Sequence, residues 1–160
     1  MASAVVITVS DRVTCGEAAD ASGPAVEAIL AVAGIDVVRR LVVADDLDEI
    51  ARSLESSAGD AVDLVVTTGG TGFAPRDVTP EATARVVERD APGLPELMRS
   101  AGLRHTPHAA LSRARAGIRG RTLIVNLPGS PAAVRESLDA LVPVLPHALA
   151  LLAGETSHGP

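Results

Sequence analysis

The sequence predicts a three-layer α/β/α fold built on a mostly parallel, mixed β-sheet, and three observations carry that expectation. Short β-branched runs alternate with stretches whose apolar residues recur at helical spacing, a rhythm that produces right-handed crossovers and parallel strands. One pair of apolar runs, 115–118 and 122–125, is separated only by Arg119-Gly120-Arg121. Those few residues are too short for a helical crossover, so this pair reads as a hairpin that adds an antiparallel edge strand. Finally, 47% of the 160 residues are hydrophobic while Phe73 is the only aromatic one, so the core has to be aliphatic. No Pro/Ser-rich linker or internal repeat divides the chain, and 1–160 reads as a single domain with a loose polar tail at 155–160.

Val5, Val6, Ile7 and Val9 give the first buried strand. Ser22 is placed to cap a helix carrying Val26, Ile29, Leu30 and Ala33, and Gly34 to stop it. Residues 37–43 form the second strand. Asp46 and Glu49 have the spacing of a capping box, and Leu47, Ile50, Ala51 and Leu54 make the apolar stripe of the next helix. Residues 63–67 form the third strand. Thr79 then reads as an N-cap, Pro80 as the first helical residue and Glu81 as a first-turn acid matched to the helix dipole. After the hairpin, Ser130 and Pro131 start a helix with Val134, Leu138, Leu141 and Val142; Pro143 and Pro146 interrupt it before the apolar end at 147–153.

The third strand runs into Thr67-Thr68-Gly69-Gly70-Thr71-Gly72 and then Arg76-Asp77-Val78-Thr79-Pro80-Glu81. Clustered glycines let the backbone take positive φ and bring its N–H groups close to an anion, because no Cβ intervenes. On that reading an alanine at Gly72 meets roughly 1–2 kcal/mol of left-handed strain as well as blocking anion space. The loop lacks the Lys-Ser/Thr of a P-loop and the last glycine of a dinucleotide fingerprint, and a plain structural turn is the competing reading.

Ligands of open α/β sheets bind beyond the carboxyl ends of parallel strands. Ser10-Asp11-Arg12, Asp45-Asp46, the glycine loop and Asn126-Leu127-Pro128-Gly129 all follow strands, so they are expected to converge on one rim. Asp46 can cap the following helix, and capping then explains only one of the two adjacent acids; Asp45 is a candidate for chemistry, with a solvated loop carboxylate as its alternative. Asp77 stands on a loop edge ahead of a helix; an ion pair with Arg76 or a turn is its alternative. Two hard oxygen ligands from separate loops suit Mg²⁺, which keeps waters and takes substrate phosphates as its remaining ligands. His105 and His108, with Pro107 between them, and the lone Cys15 offer no zinc set. Arg12 and Arg113 fit either phosphate oxygens or carboxylates at the rim.

Taken in order, Ser10-Asp11-Arg12, Val43-Ala44-Asp45-Asp46, the glycine loop with Arg76-Asp77, Leu111-Ser112-Arg113 before Ala116-Gly117-Ile118-Arg119-Gly120, and Asn126-Leu127-Pro128-Gly129-Ser130 resemble the molybdopterin adenylyltransferase family. That family comprises the bacterial Mog and MoaB proteins and the G domains of a plant counterpart and of gephyrin. The ordered set is far more specific than the glycine loop alone and covers residues 5–154.

The resemblance implies an enzyme of molybdenum cofactor biosynthesis that joins ATP to molybdopterin, with Mg²⁺, and releases pyrophosphate. It implies Asp45 and Asp77 as catalytic metal ligands. Around the two substrates it implies Ser10, Asp11, Arg12, Gly69, Gly70, Thr71, Gly72, Ser112, Arg113, Asn126, Pro128, Gly129 and Ser130, undivided between pterin and nucleotide. It further implies a homotrimer and a downstream molybdenum-insertion protein as partner. Family members often carry Pro directly before the first acid, where this chain has Ala44. A non-catalytic molybdopterin-binding or scaffold module is the alternative reading, and the motifs separate neither Mog from MoaB nor a molybdenum from a tungsten pathway.

Composition bears on the remaining classes. A formal charge of −6 and the absence of Trp and Tyr speak against nucleic-acid binding, which uses phosphate neutralisation and aromatic stacking. A single cysteine excludes an intramolecular disulfide and fits a reducing, cytoplasmic setting. The first residues lack a basic stretch with a long apolar segment, and no apolar run approaches about 18 residues, so neither targeting nor membrane insertion is expected.

Overall fold

A computed structural model describes residues 1–155; the tail expected from 155 onward lies, past Glu155, outside the described residues. The elements run in the order β1 (Ala2–Val9), α1 (Asp11–Thr14), α2 (Ser22–Val32), β2 (Ile35–Val43), α3 (Leu47–Gly59), β3 (Leu64–Thr68), α4 (Thr79–Val86), β4 (Arg89–Asp90), α5 (Gly93–Gly102), a 3-10 turn (Pro107–Leu111), β5 (Ala116–Arg119), β6 (Thr122–Leu127), α6 (Pro131–Leu141) and α7 (Leu145–Ala153).

The sheet has the order β2-β1-β3-β6-β5-β4. β2, β1, β3 and β6 are mutually parallel, while β5 pairs antiparallel with β6 and β4 with β5. The predicted three-layer, mostly parallel mixed sheet with its hairpin is therefore present. One detail differs: the two-residue β4 lies outside β5 and takes the edge position.

Alternation along the strands separates two cores. Ala4, Val6, Leu64, Val66, Leu123 and Val125 face a layer made by α2, α5, α6 and α7. Val5, Ile7, Val65 and Ile124 face α3 and α4 through Ile50, Leu54, Ala82 and Val86. Period-two alternation in each strand and the helical stripes in each covering helix produce this division. Both cores are aliphatic, and Phe73 is 69% exposed.

Tertiary contacts refine the local signals. Ser22 does not cap α2; Asp20 does, its Oδ1 accepting from Gly23 N–H at 2.9 Å while Oδ2 accepts from the Thr8 hydroxyl at 3.0 Å. A carboxylate two residues earlier thus anchors the helix to β1 and outcompetes the serine. Asp46 caps α3 through Glu49 N–H at 2.9 Å, but Glu49 reaches back to Ala44 N–H at 3.3 Å instead of closing a reciprocal box. Gly34 does end the α2 segment, in a left-handed conformation with φ +78. No single helix among the described residues is long and apolar enough to cross a membrane.

Chain direction positions the site. From β1 the chain crosses to β2 on one side, and from β2 it returns past β1 to β3 on the other. The topological switch therefore falls between β1 and β3, where a crevice opens beyond the carboxyl ends of the strands. This geometry rests on α3, whose Leu54 is fully buried. Leu54→Ala should lower stability by about 2–5 kcal/mol, the cost of lost apolar burial plus a residual cavity, read as a reduced urea-unfolding midpoint.

Candidate functional site

Ser10 follows β1, Asp45 follows β2, Gly69 to Gly72 follow β3, and Pro128 and Gly129 follow β6, so parallel pairing puts all four segments on one rim. Backbone contacts tie them together. Gly69 N–H donates to Leu127 O at 3.1 Å and Ser10 N–H to Val43 O at 2.9 Å. The Thr68 hydroxyl donates to Pro128 O at 2.7 Å. A Cβ on Gly129 would stand 3.3 Å from the Gly69 Cα.

Gly69 and Gly70 hold φ of +98 and +67, conformations that L side chains rarely adopt. Gly72 does not, which corrects the expectation of left-handed strain there. Its constraint is steric: a Cβ would lie 2.9 Å from Asp77 Oδ2. Thr79 is also corrected, since it is the first residue of α4 and caps nothing. Its hydroxyl donates to Gly69 O at 3.0 Å, and its N–H to Gly70 O at 3.1 Å.

The acids lie against this loop, Asp45 Oδ1 3.2 Å from where a Cβ on Gly70 would stand and Asp77 beside Gly72. Asp45 Oδ2 accepts from Asp11 N–H at 2.9 Å, and Asp11 Oδ1 accepts from Asp45 N–H at 3.0 Å. Arg76 forks onto the same Asp11, with Nη2 3.0 Å from Oδ1 and Nε on Oδ2. Arg76, through its hydrogen bond, holds the Asp11 carboxyl below the usual carboxylate range. Burial pushes the Asp45 carboxyl above that range, opposed by its bond from Asp11 and reinforced by the charges of Asp11 and Asp77. Asp77 Oδ2 accepts from Ala74 N–H at 3.0 Å.

Among the described residues, Asp45 Oδ1 and Asp77 Oδ1 accept no hydrogen bond. Each acid thus keeps one oxygen for a ligand. Among those residues no three His, Cys, Asp or Glu side chains group as a metal cage. Two hard oxygens without a cage fit Mg²⁺ completed by water and phosphate, and fit poorly to zinc.

Two cavities flank the glycine loop. One of about 300 Å³ has Gly72, Met98, Leu111, Ser112 and Pro128 in its largely apolar wall. The other, of about 230 Å³ between β1 and the start of α2, includes Ser10, Arg12, Asp20, Gly69 and Gly129.

A family model described as a probable molybdopterin binding domain matches residues 5–147. The chain belongs to this family. A molybdopterin adenylyltransferase of Helicobacter pylori is 44% identical over 152 residues, 93% of this chain and 86% of that protein. The crystal structure of the molybdopterin biosynthesis enzyme MoaB from Thermus thermophilus has a TM-score of 0.92 and 51% identity, covering 96% of this chain and 98% of that one. Gephyrin of Dictyostelium discoideum is 43% identical over 92% of this chain, which spans 22% of gephyrin. The resemblance carried by the ordered motifs is therefore correct, and the fold is that of the solved family structures.

Not every motif residue of this molybdopterin-binding domain lies open at the rim. Asn126 is fully buried. Its amide donates to the Thr67 and Thr83 hydroxyls at 3.0 and 2.9 Å, and its carbonyl accepts from Arg115 N–H at 3.1 Å. It sits in the sheet beneath the loop, with no surface for a ligand. Ser10 and Ser130 cap α1 and α6. Arg113 bonds to the loop backbone and pairs with Glu81, whereas Arg12 forms no ion pair among the described residues. Arg99, absent from the sequence expectations, holds Ser112 O and Ala114 O, both at 3.2 Å, and so shapes the apolar cavity. Its signal is the stripe Leu94, Leu97, Met98 and Ala101 that identifies α5.

The raised Asp45 pKa gives a signed prediction. Native Asp45 binds its proton more readily than the unfolded chain, whose value is near 3.8, so wild type gains stability as pH falls through the native pKa and loses it as pH rises. Asp45→Asn, which retains the bond from Asp11, should melt higher than wild type at about pH 7, with the gap closing towards about pH 4. Thermal melts across that range check it; a variant that melts lower at neutral pH contradicts the burial argument.

Proposed function

We propose that this chain is a molybdopterin adenylyltransferase, with ATP and molybdopterin as substrates and Mg²⁺ as metal. The observation that carries the reading is the placement of two carboxylates, each with an unpaired oxygen, beside a glycine loop onto which an apolar cavity opens. A fused-ring heterocycle fits the cavity wall, and its phosphate reaches the loop. A plain structural turn would need neither the two acids nor the adjoining cavity of about 300 Å³.

A terminal phosphate oxygen of molybdopterin attacks the α-phosphorus of ATP; a new P–O–P bond forms, the α–β bond breaks, and pyrophosphate leaves with the electron pair. Several negative charges meet in one place, so positioning and charge neutralisation carry the rate. Asp45 and Asp77 would hold the metal, which supplies electrostatic stabilisation worth several kcal/mol at the transferring phosphate. The loop backbone orients phosphate oxygens, and Arg76, held on Asp11, stands close enough to answer the charge on Asp45. Ser112 and Pro128 face the ring system. The proposal extends to a cytoplasmic homotrimer, for which exposed Val32 and Phe73 offer apolar surface, and to a molybdenum-insertion protein that receives the product.

Asp77→Asn and Asp45→Ala should each remove most adenylyl transfer while leaving a folded protein that binds molybdopterin. The double variant should be little worse than the poorer single one, because both acids serve one metal-phosphate unit. Pyrophosphate release at saturating ATP and molybdopterin reads this. Near-normal turnover with unchanged Mg²⁺ dependence in both single variants would remove the carboxylates from the mechanism; no turnover in wild type that still binds molybdopterin would favour the scaffold reading.

A further inference from the structure

We infer that Thr79 and Arg113 are positioning residues that shape an anion cradle from the peptide groups of residues 69–73. The inference deepens the functional reading above and rests on it. In a trans peptide the carbonyl of one residue and the N–H of the next point in opposite directions, and no cis peptide occurs among the described residues. Fixing a carbonyl therefore aims the following N–H.

Four successive carbonyls are fixed in this way, by two residues alone. The Thr79 hydroxyl holds Gly69 O at 3.0 Å and the Thr79 N–H holds Gly70 O at 3.1 Å. The Arg113 N–H holds Thr71 O at 2.8 Å, and its Nε holds Gly72 O at 2.7 Å. The N–H groups turned away from these anchors belong to Gly70, Thr71, Gly72 and Phe73. None of the four donates a hydrogen bond among the described residues. Consecutive N–H groups following left-handed residues form a concavity for oxyanions, and the run of free donors calls for acceptors from outside the chain. Phosphate oxygens are the ligand class that supplies them.

Neither anchor is itself a ligand contact. Thr79 is fully buried, with Thr83, held in turn by Asn126, bonding to its carbonyl at 2.9 Å. The Arg113 guanidinium is taken up by Gly72 O, by Asp77 O at 2.6 Å and by Glu81, so no fork remains for a phosphate. Because Arg113 also holds the Asp77 carbonyl, one side chain sets the cradle and a metal acid in a common frame. Of its two roles weighed from sequence, carboxylate bridging is present in the pair with Glu81, and holding the loop backbone adds a third.

The test uses inorganic pyrophosphate as probe, titrated calorimetrically into the full chain, with thermal melts alongside. Thr79→Val keeps shape and loses the hydroxyl donor; Thr79→Ser restores it; Arg113→Lys keeps the charge and loses the planar fork. We expect Thr79→Val and Arg113→Lys to weaken pyrophosphate binding by roughly tenfold or more, and Thr79→Ser to stay within about threefold of wild type. Arg113→Lys on the partly exposed rim decides the matter should Thr79→Val not fold. Wild-type affinity in Arg113→Lys would show Arg113 acting as a plain charge, and wild-type affinity in Thr79→Val with only a lower melting point would show a structural hydroxyl; either overturns the inference, as does a wild type that binds no pyrophosphate. Wild type that binds pyrophosphate through these anchors but transfers no adenylyl group leaves the cradle standing and refutes the enzymatic reading instead.

Discussion

A Cβ at residue 69 would stand 2.4 Å from the carbonyl oxygen of Val9, and that closeness of β3 to the end of β1 is the constraint on which the rim depends. Only glycine admits both the approach and the left-handed turn that follows. Because the turn starts inside the crevice and not above it, the next residues emerge between the ends of β2 and β6. Asp45 comes within 3.2 Å of the Cβ position of Gly70 on one side, and Gly129 packs on Gly69 on the other. The crossover pattern makes the crevice, and one backbone contact makes it shallow enough for peptide N–H groups to line it.

Electrostatics within the crevice follow from which acid has a partner. Asp11 and Asp45 exchange backbone bonds almost symmetrically, yet their carboxyls shift in opposite directions, because Arg76 sits on Asp11 while burial dominates at Asp45. The acid left with an uncompensated desolvation cost is the one with most to gain from an incoming cation. On the proposed function, an acidic chain of formal charge −6 would bind a polyphosphate through the local balance of N–H groups, metal and guanidinium rather than through global charge complementarity.

How much of this was legible depended on whether the determining contact was local. Strands and helices with uniform period were readable: Val5 to Val9, the Leu47 to Leu54 stripe and the hairpin around Gly120 each carry their signal within a few residues. β4 has only two residues and exists because β5 offers it an edge. α5 contains Pro95, which breaks a helix interior but is tolerated in a first turn, and its apolar stripe was therefore easy to pass over. At the site, acids after strands and glycines before a helix can be read from chain order. The bond from Thr79 to Gly69 spans ten residues and that from Asn126 to Thr83 spans 43, and nothing in local patterning signals either.

Those long-range bonds change what membership of a motif means. Residues recur in the segments around a ligand for two physical reasons, contact with the ligand and placement of the groups that make contact, and sequence order cannot separate them. Burial can. Asn126 and Thr79, with no exposed surface, reach any ligand only through the backbone they hold, whereas Asp45 and Asp77 keep an oxygen free. Removing a buried donor in such a chain leaves its acceptors unsatisfied, so a scaffold residue is under constraints as tight as a contact residue. The rim of this protein is therefore better understood as a short length of backbone with two carboxylates beside it, oriented from below by threonine hydroxyls and from the side by one arginine fork.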